Sequence, residues 1–272
     1  MKLTAIKREL ISALSDVCGE YAPYEASQIM RHLYGDCTLR MYDEVERDAS
    51  TDDIIFRRKA GEPIEYILGT APFFGLDFEV DRSCLIPQSD TEIVVETALS
   101  HLHGGTFADI CTGSGCIAVT VAKSSGCHGV ATDISSDALM IAGRNAVRHG
   151  VADKLVFRNA NVFADGTFLD GESFDVIISN PPYIRSDVIP TLSPEVRHEP
   201  VSALDGGADG MDFYRRLLDI CPPHLNNGGV MIFEIGYDEG DAIVALTSRR
   251  RMTCVLIRDY GGNTRCAVIA QQ

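Results

Sequence analysis

Apolar residues in the first third of the chain recur three and four positions apart, which is the spacing of one face of an amphipathic helix. This spacing predicts helices near residues 2–18, 23–34, 41–47 and 51–60. Pro23 is typical of a first helical turn, and Gly35 and Gly61 are typical of positions that follow a helix. The first third therefore predicts a small bundle of short helices.

From Pro72 onward the pattern changes to aromatic and β-branched runs. Phe73 to Val80 alternate around a central Gly75, which predicts a β-hairpin. Beyond the hairpin, predicted strands and helices alternate. The strands are 106–110, 129–133, 155–159, 174–179, 229–235, 252–258 and 266–270, and the helices are 90–102, 114–124, 136–149, 211–220 and 239–249.

This alternation predicts a parallel sheet with helices on both faces. Only Asp259–Arg265 separates the last two strands, which is too short for a crossover helix, so these strands should pair antiparallel. The fold class is therefore α/β: a doubly wound, mostly parallel seven-stranded sheet with an antiparallel last strand. A small N-terminal helical bundle precedes it, joined by the hairpin.

The net charge of the chain narrows the classes of ligand that it is expected to bind. The chain has 24 Lys and Arg against 39 Asp and Glu, a formal net charge of −15. This disfavours non-specific affinity for nucleic acid or anionic membranes, because both need a positive field. The basic run Arg57-Arg58-Lys59 is interpreted as a solvent-exposed helix face, with a contact to an acidic partner as the alternative.

The chain also lacks the patterns of exported and membrane proteins. No apolar run approaches the roughly 18–20 residues of a membrane span, and Lys7, Arg8 and Glu9 interrupt any signal-peptide core. The nine cysteines form no Cys-x-x-Cys pair. We expect reduced thiols in a cytoplasmic protein, not a disulfide or metal framework.

Candidate chemistry begins where the predicted strands end, because open α/β sheets bind ligands at the carboxyl ends of their strands. The first strand end reads Asp109-Ile110-Cys111-Thr112-Gly113-Ser114-Gly115, whose small residues allow a sharp turn and a close backbone approach. It lacks the third glycine of a dinucleotide motif and the Gly-Lys-Ser/Thr of a phosphate loop. Taken alone, it also fits a plain strand–helix turn.

The next two strand ends add to this picture. Asp133 is placed to accept two hydrogen bonds from a ribose diol, although it could instead only cap the following helix. After the third strand, the Asn161 amide oxygen could accept from an exocyclic amine while Val162 and Phe163 cover an adenine ring. Together the three strand ends predict an adenosine pocket.

The fourth strand ends in Ser179-Asn180-Pro181-Pro182-Tyr183, which carries the most chemical information. Two prolines stiffen the segment and leave its carbonyls free, so Asn180 and the Pro181 carbonyl can act as paired acceptors beside the Tyr183 ring. Such acceptors can hold a planar –NH₂ group in line with a methyl donor and stabilise charge that develops on its nitrogen. The plainer interpretation is a rigid loop with a buried tyrosine.

This tetrapeptide and the Asp109–Gly115 turn resemble the class I S-adenosylmethionine-dependent amino-methyltransferases. More closely, nearly the whole chain resembles the HemK-type peptide chain release factor N5-glutamine methyltransferases. The segments that carry the resemblance are Gly61–Gly69, Phe74–Phe78, Leu85–Glu92, Ser179–Ile184, Pro194–Val196, Glu199-Pro200, Ala203-Leu204, Asp209-Gly210, Glu234–Gly236 and Asp259–Arg265.

The resemblance implies methyl transfer from S-adenosylmethionine, which leaves S-adenosylhomocysteine, to the side-chain amide nitrogen of the glutamine in the Gly-Gly-Gln motif of class 1 release factors. It places Cys111–Gly115 around the methionine part of the donor, Asp133 on the ribose, and Asn161 with Val162 beside the adenine. Asn180 would contact both donor and substrate, and Asn180, Pro181, Pro182 and Tyr183 would hold the glutamine amide.

The resemblance also sets the expected organisation. Residues 1–70 would form a helical docking domain for the release factor, residues 71–88 a hairpin linker, and residues 89–272 the methyltransferase domain. We expect a monomer with no metal and no direct nucleic-acid or membrane partner.

Four residues depart from the family pattern. Cys111 replaces a common Gly, Asn161 an Asp, Gln88 an Arg and Glu239 a Gln. None of them removes the reactive tetrapeptide.

Two other functions remain open. The tetrapeptide also fits adenine-N6 or guanine-N2 methyltransferases that act on a flipped base, which the charge of −15 disfavours. A non-catalytic binding module that retains the fold is disfavoured by the intact Asn180–Tyr183.

Overall fold

The computed structural model describes residues 1–164, 169 and 171–272. The chain divides into two compact units. The first comprises Met1–Thr70 together with Ser193–His198, and the second comprises the remainder, Ala71–Leu192 and Glu199–Gln272. Within the described part of the chain, no helix combines the length and apolarity that crossing a membrane would require.

The first unit is built from helices that bury their apolar faces against one another. They are α1 (Leu3–Cys18), α2 (Ala22–Tyr34), α3 (Thr51–Lys59) and α4 (Ile64–Leu68). Leu3, Ile6, Leu10 and Leu14 of α1 are fully buried and pack with Ile29 and Ile54. The predicted helices near 2–18, 23–34 and 51–60 are confirmed, whereas the short α4 was not predicted.

The predicted helix at residues 41–47 is wrong. These residues form turns and an isolated bridge between Lys2 and Glu44. The carbonyls of Asp43 and Met41 accept the N–H groups of Leu3 and Thr4 at 3.1 and 2.9 Å. Hydrogen bonds to the start of the chain therefore replace the local bonds that a seven-residue helix would need, and so short a helix has little stability of its own.

The interpretation of Arg57-Arg58-Lys59 as an exposed face is wrong for Arg58, whereas Arg57 is partly exposed and Lys59 is exposed. Arg58 is only 6% exposed, and its Nε lies 2.8 Å from Glu25 Oε2. Glu195, from the separate segment of this unit, places Oε1 3.2 Å from Arg58 Nη1. Arg57 pairs with Glu62 through two bonds of 2.8 Å. The partners of Arg58 lie 33 and 137 residues away in sequence, whereas the partner of Arg57 lies five residues away.

The second unit begins with a two-stranded sheet and contains a seven-stranded one. The hairpin, β1 (Thr70–Phe73) with β2 (Leu76–Glu79), is confirmed. The large sheet comprises β3 (Thr106–Ile110), β4 (His128–Asp133), β5 (Leu155–Asn159), β6 (Phe174–Ser179), β7 (Leu225–Glu234), β8 (Met252–Arg258) and β9 (Thr264–Gln271). Its strand order is β5-β4-β3-β6-β7-β9-β8. β9 pairs antiparallel with both of its neighbours and the other pairings are parallel, which confirms the predicted fold class.

Helices cover both faces of this sheet. They are α5 (Glu92–His101), α6 (Cys116–Ser125), α7 (Ser136–Arg148), α8 (Asp212–Ile220) and α9 (Gly240–Arg249). In the central strand β6, Val176 and Ile178 join the core beneath α5 and α6, while Ile177 joins the core beneath α8 and α9. Alternate residues of a strand point to opposite faces, so apolar residues fill both sides and polar chemistry is confined to the strand ends.

The chain reverses direction across the sheet beside β3. From β3 it runs outward to β4 and β5, and it then returns to β6 on the other side of β3. Such a reversal leaves a crevice at the carboxyl ends of the two strands, which is where doubly wound sheets bind ligands.

The buried ion pair gives a stability prediction for the first unit. Arg58→Ala leaves Glu25 buried without its cation, so we expect a loss of about 3–5 kcal/mol in the free energy of unfolding. Chemical denaturation followed by circular dichroism measures this loss. Arg40→Ala is the control, because Arg40 and its partner Asp43 are both more than half exposed and should contribute little. Equal losses for the two variants would contradict the prediction.

Candidate functional site

A cavity of about 230 Å³ lies in the crevice at the strand ends. Ten of the residues predicted from sequence line it: Cys111, Thr112, Gly113, Ser114, Asp133, Asn161, Val162, Phe163, Asn180 and Pro182. They come from the ends of four strands, β3 to β6. The other predicted residues, Asp109, Gly115, Pro181 and Tyr183, lie outside the lining.

The turn between β3 and α6 needs residues that tolerate positive φ. Gly113 has φ of +55°, and a Cβ there would meet no atom within 4 Å, so this side of the turn opens into the cavity. Gly115 has φ of +79°, and its Cβ would lie 2.8 Å from Ala142 Cβ. Gly115 is therefore required by packing against α7. Cys111 adopts φ of +62° with a side chain present, which is a strained conformation.

The buried side chain of Asp109 holds this turn in place. It is fully buried, and its Oδ2 accepts from Thr112 Oγ1 at 2.6 Å and from the Ala118 N–H at 3.1 Å. Burial raises the pKa of Asp109 to about 7. The resemblance also implied a cofactor-binding role for Asp109, but here its carboxyl group fixes the turn to the first turn of α6 and lies outside the lining of the cavity.

Asp133 combines the two alternatives that the sequence left open. Its Oδ2 accepts the Gly113 N–H at 2.8 Å, and its Oδ1 accepts the Ser135 N–H at 2.9 Å. Burial raises the pKa of Asp133, and these N–H donors act in the opposite direction. The carboxylate braces two turns and also faces the cavity, where its remaining lone pairs can accept from a diol.

The turn after β5 forms the apolar side of the cavity. Asn161 is exposed, and its Oδ1 accepts the Phe163 N–H at 2.9 Å. Phe163 meets Phe213 of α8 edge to face, with ring centroids 4.9 Å apart. Arg216, one turn further along α8, donates to the Val162 carbonyl at 2.6 Å. Phe213 also lines the cavity and was not predicted as a site residue, since the sequence indicated only a helix over 211–220.

The tetrapeptide after β6 is held at both ends. Asn180 Nδ2 donates to Thr91 Oγ1 at 3.3 Å, and the Tyr183 hydroxyl donates to Glu234 Oε1 at 3.3 Å. Burial raises the pKa of Tyr183. Asn180 and Pro182 reach the cavity, whereas the Tyr183 hydroxyl lies against the end of β7.

Two further segments close the cavity and were missed as site residues. They contribute Ser83, Cys84, Leu85, Pro87, Gln88, Pro200, Ser202, Ala203 and Asp205. Glu199 joins the segments, because its Oε2 accepts the buried Ile86 N–H at 2.9 Å. Both segments were noted for their resemblance to a family, but no spacing in them indicated chemistry.

Glu239 is part of the support around the strand ends. Its Oε2 accepts the Gly236 N–H at 2.8 Å and the Tyr214 hydroxyl at 3.0 Å. An amide oxygen can accept both bonds equally well, so the glutamine usual at this position would preserve them. Burial raises the pKa of Glu239 to about 7.

Among residues 1–164, 169 and 171–272, no group of three or more His, Cys, Asp or Glu side chains is arranged to hold a metal ion.

Comparison with known proteins identifies a family model and relatives that this chain matches. Residues 88–197 match the family model "Methyltransferase small domain". A protein of Geobacter sulfurreducens named release factor glutamine methyltransferase is 41% identical over 224 residues, covering 81% of this chain and 77% of the relative. One of the same name from Agrobacterium fabrum is 38% identical over 233 residues, covering 82% and 78%.

Among solved structures, a methyltransferase from Pyrococcus furiosus matches with a TM-score of 0.54 and 24% identity. The match covers 82% of this chain and 98% of the other. It supports the fold of the sheet.

The raised pKa of Glu239 predicts a pH effect on stability. Its folded-state pKa of about 7 lies above the ordinary 4.5, so the folded protein retains a proton that the unfolded chain releases in this range. Stability is therefore lost as pH rises from the lower value through the higher one. Glu239→Gln cannot ionise, and its unfolding midpoint in urea should fall less between about pH 5 and pH 8 than that of the wild type. An equal fall would contradict this account.

Proposed function

The chain belongs to the release factor glutamine methyltransferase family, and on that basis we propose that it methylates the side-chain amide nitrogen of a glutamine in a peptide chain release factor. The methyl donor is S-adenosylmethionine, and the target is the glutamine of the Gly-Gly-Gln motif. One observation carries this proposal: Asn180, in a stiff proline-flanked segment, shares a single cavity with a fixed carboxylate suited to a ribose.

The residues of the cavity fit the proposed donor. Two backbone N–H groups hold the Asp133 carboxylate in place, where it can accept from the ribose diol. Val162 and Phe213 offer apolar surface for the adenine, and the open space beside Gly113 leaves room for the rest of the molecule. When bound, S-adenosylmethionine supplies a methyl group activated by its positively charged sulfur.

The tetrapeptide would supply the orientation and electrostatics of transfer. An amide nitrogen is a poor nucleophile because its lone pair is delocalised. Since Asn180 Nδ2 donates to Thr91, the amide oxygen is oriented to accept from the substrate –NH₂ group together with the Pro181 carbonyl. These acceptors stabilise positive charge as it develops on the nitrogen, and the proton leaves after transfer.

The first unit would recognise the release factor. It has its own apolar core, centred on α1 and α2. Residues 1–80 carry nine basic and fifteen acidic side chains, so this part of the chain is not suited to nucleic acid. Tyr21, Tyr42 and Phe56 are each more than 60% exposed and provide apolar contact area.

The function is tested by incubating the protein with S-adenosylmethionine and a class 1 release factor. Mass spectrometry should find one added methyl group on the glutamine of Gly-Gly-Gln, and a release factor with that glutamine changed should gain none. Methylation of RNA or DNA, with none on the release factor, would overturn the proposal in favour of the base-methyltransferase alternative.

Asn180 gives a quantitative prediction. Asn180→Ala should lower turnover by about 10²–10³-fold, which is typical of the loss of one preorganised contact to developing charge. Initial rates of methyl transfer measure the effect. Asn226→Ala is the matched control, because its amide donates to Asp175 at the opposite end of the sheet. Turnover that survives in Asn180→Ala would show that the role assigned to Asn180 is wrong.

A further inference from the structure

We propose that Glu234 and Arg265 are positioning residues for the methyl transfer and form one anchor behind the Asn180–Tyr183 tetrapeptide. The proposal rests on the proposed function of that tetrapeptide. Neither Glu234 nor Arg265 belongs to the lining of the cavity, so any effect on the reaction must pass through the residues that they hold.

The buried carboxyl group of Glu234 carries a desolvation penalty that the stability of the fold alone does not explain. Glu234 is the last residue of β7 and is 2% exposed. It pairs with Cys266 of β9 at the end of the sheet where the parallel strands finish. Burial raises the pKa of Glu234 to about 7, and the charge of Arg265 acts in the opposite direction. An apolar side chain would pack there without the desolvation penalty of a carboxyl group.

The compensating contact of Glu234 is to the tetrapeptide. Its Oε1 accepts the Tyr183 hydroxyl at 3.3 Å. The hydroxyl is the far end of the tyrosine side chain, so this bond fixes the direction of the ring. Tyr183 follows Pro182, which does line the cavity, and a fixed ring therefore restrains the stiff segment from its distal end.

Arg265 links the Glu234–Tyr183 contact to a second contact, between Thr91 and Asn180. Its guanidinium is 11% exposed, with Nη2 3.0 Å from Asp90 Oδ2. Asp90 immediately precedes Thr91, which accepts the Asn180 amide. The Arg265 carbonyl accepts the N–H of Ile235, the residue after Glu234, at 2.8 Å. One arginine thus stabilises the acceptors at both ends of the tetrapeptide.

Asp259 completes the anchor. Its Oδ2 lies 3.3 Å from Arg265 Nε, and its Oδ1 accepts the Asn263 N–H at 2.9 Å in the turn between β8 and β9. The guanidinium is therefore held between two carboxylates from different parts of the chain. These two contacts fix the orientation of the guanidinium beside Asp90 and Thr91.

A positioning role predicts a specific kinetic signature. Loss of the anchor should lower kcat for the release factor, because the glutamine amide is held less well in the transition state. It should change the affinity for S-adenosylhomocysteine much less than kcat, because Asp133 and the turn after β3 are braced by bonds that do not involve the anchor. A role limited to folding stability would change the unfolding midpoint without this selective loss of kcat.

The experiment compares conservative and disruptive variants of the full chain. Glu234→Leu and Arg265→Gln should each lower kcat by about 10–100-fold, the size of effect typical of outer-shell partners. Glu234→Gln retains an acceptor for the Tyr183 hydroxyl and should restore most of kcat. Arg258→Gln is the control, because this exposed arginine donates to the Gly262 carbonyl in the same β8–β9 hairpin. Calorimetry with S-adenosylhomocysteine and circular dichroism report binding and folding.

A double-mutant cycle keeps the proposal falsifiable even if Glu234→Leu folds poorly. In a Tyr183→Phe background one end of the anchor is already lost, so adding Arg265→Gln should lower kcat by a smaller factor than it does in the wild type. Independent, multiplicative effects would overturn the inference, as would folded Glu234→Leu and Arg265→Gln proteins with wild-type kcat. Both of these outcomes leave wild-type methylation of the release factor intact, whereas absence of that methylation would overturn the proposed function itself.

Discussion

The reversal of chain direction beside β3 is the constraint on which the site depends. Because β4 and β6 pair with opposite edges of β3, the turns that follow these strands diverge and leave a crevice. The strands are apolar on both faces, so polar side chains can gather only where the strands end. Asp133 accepts the Gly113 N–H and so joins the end of β4 to the turn after β3 on one side of the crevice.

Sequence predicted the parts of the structure that depend on local pattern. The strands 106–110, 155–159, 174–179 and 252–258 match the predicted bounds, because continuous apolar runs between polar turns leave little freedom in where a strand begins. The site residues at strand ends follow from the same alternation, since parallel strands place their carboxyl ends together. Local pattern predicted the wrong structure at residues 41–47, whose hydrogen-bond partners lie at the start of the chain. It also predicted the wrong exposure for Arg58, whose partners are Glu25 and Glu195. It also failed at the cavity walls, which are joined by one long-range bond from Glu199 to Ile86.

Three of the departures from the family pattern keep a local hydrogen bond within this site. Asn161 uses its oxygen to accept the Phe163 N–H, Gln88 donates to the Ile86 carbonyl, and Glu239 accepts from Gly236 and Tyr214. Cys111 is the exception, because its positive φ carries a strain of about 1–2 kcal/mol that glycine would avoid. The surrounding turn overrides that preference, since Asp109, Thr112 and Asp133 fix the backbone on either side. The departures therefore change charge and strain while the framework that positions the reactive groups is retained.

Several of the acidic residues of the chain lie close to the strand ends. Asp109, Glu234 and Glu239 are carboxyl groups whose burial raises the pKa of each to about 7, and Asp133 faces the cavity beside them. In the proposed reaction this site receives a positively charged donor and then stabilises positive charge on the substrate nitrogen. A nearby cation favours the ionised form of a carboxyl group, and by reciprocity the ionised carboxylates favour the cation. The desolvation that makes these groups costly in the free protein thus makes their charges effective during transfer, because a low local dielectric strengthens each interaction. Arg265 limits the cost at Glu234, because its positive charge favours the ionised form of that carboxyl group.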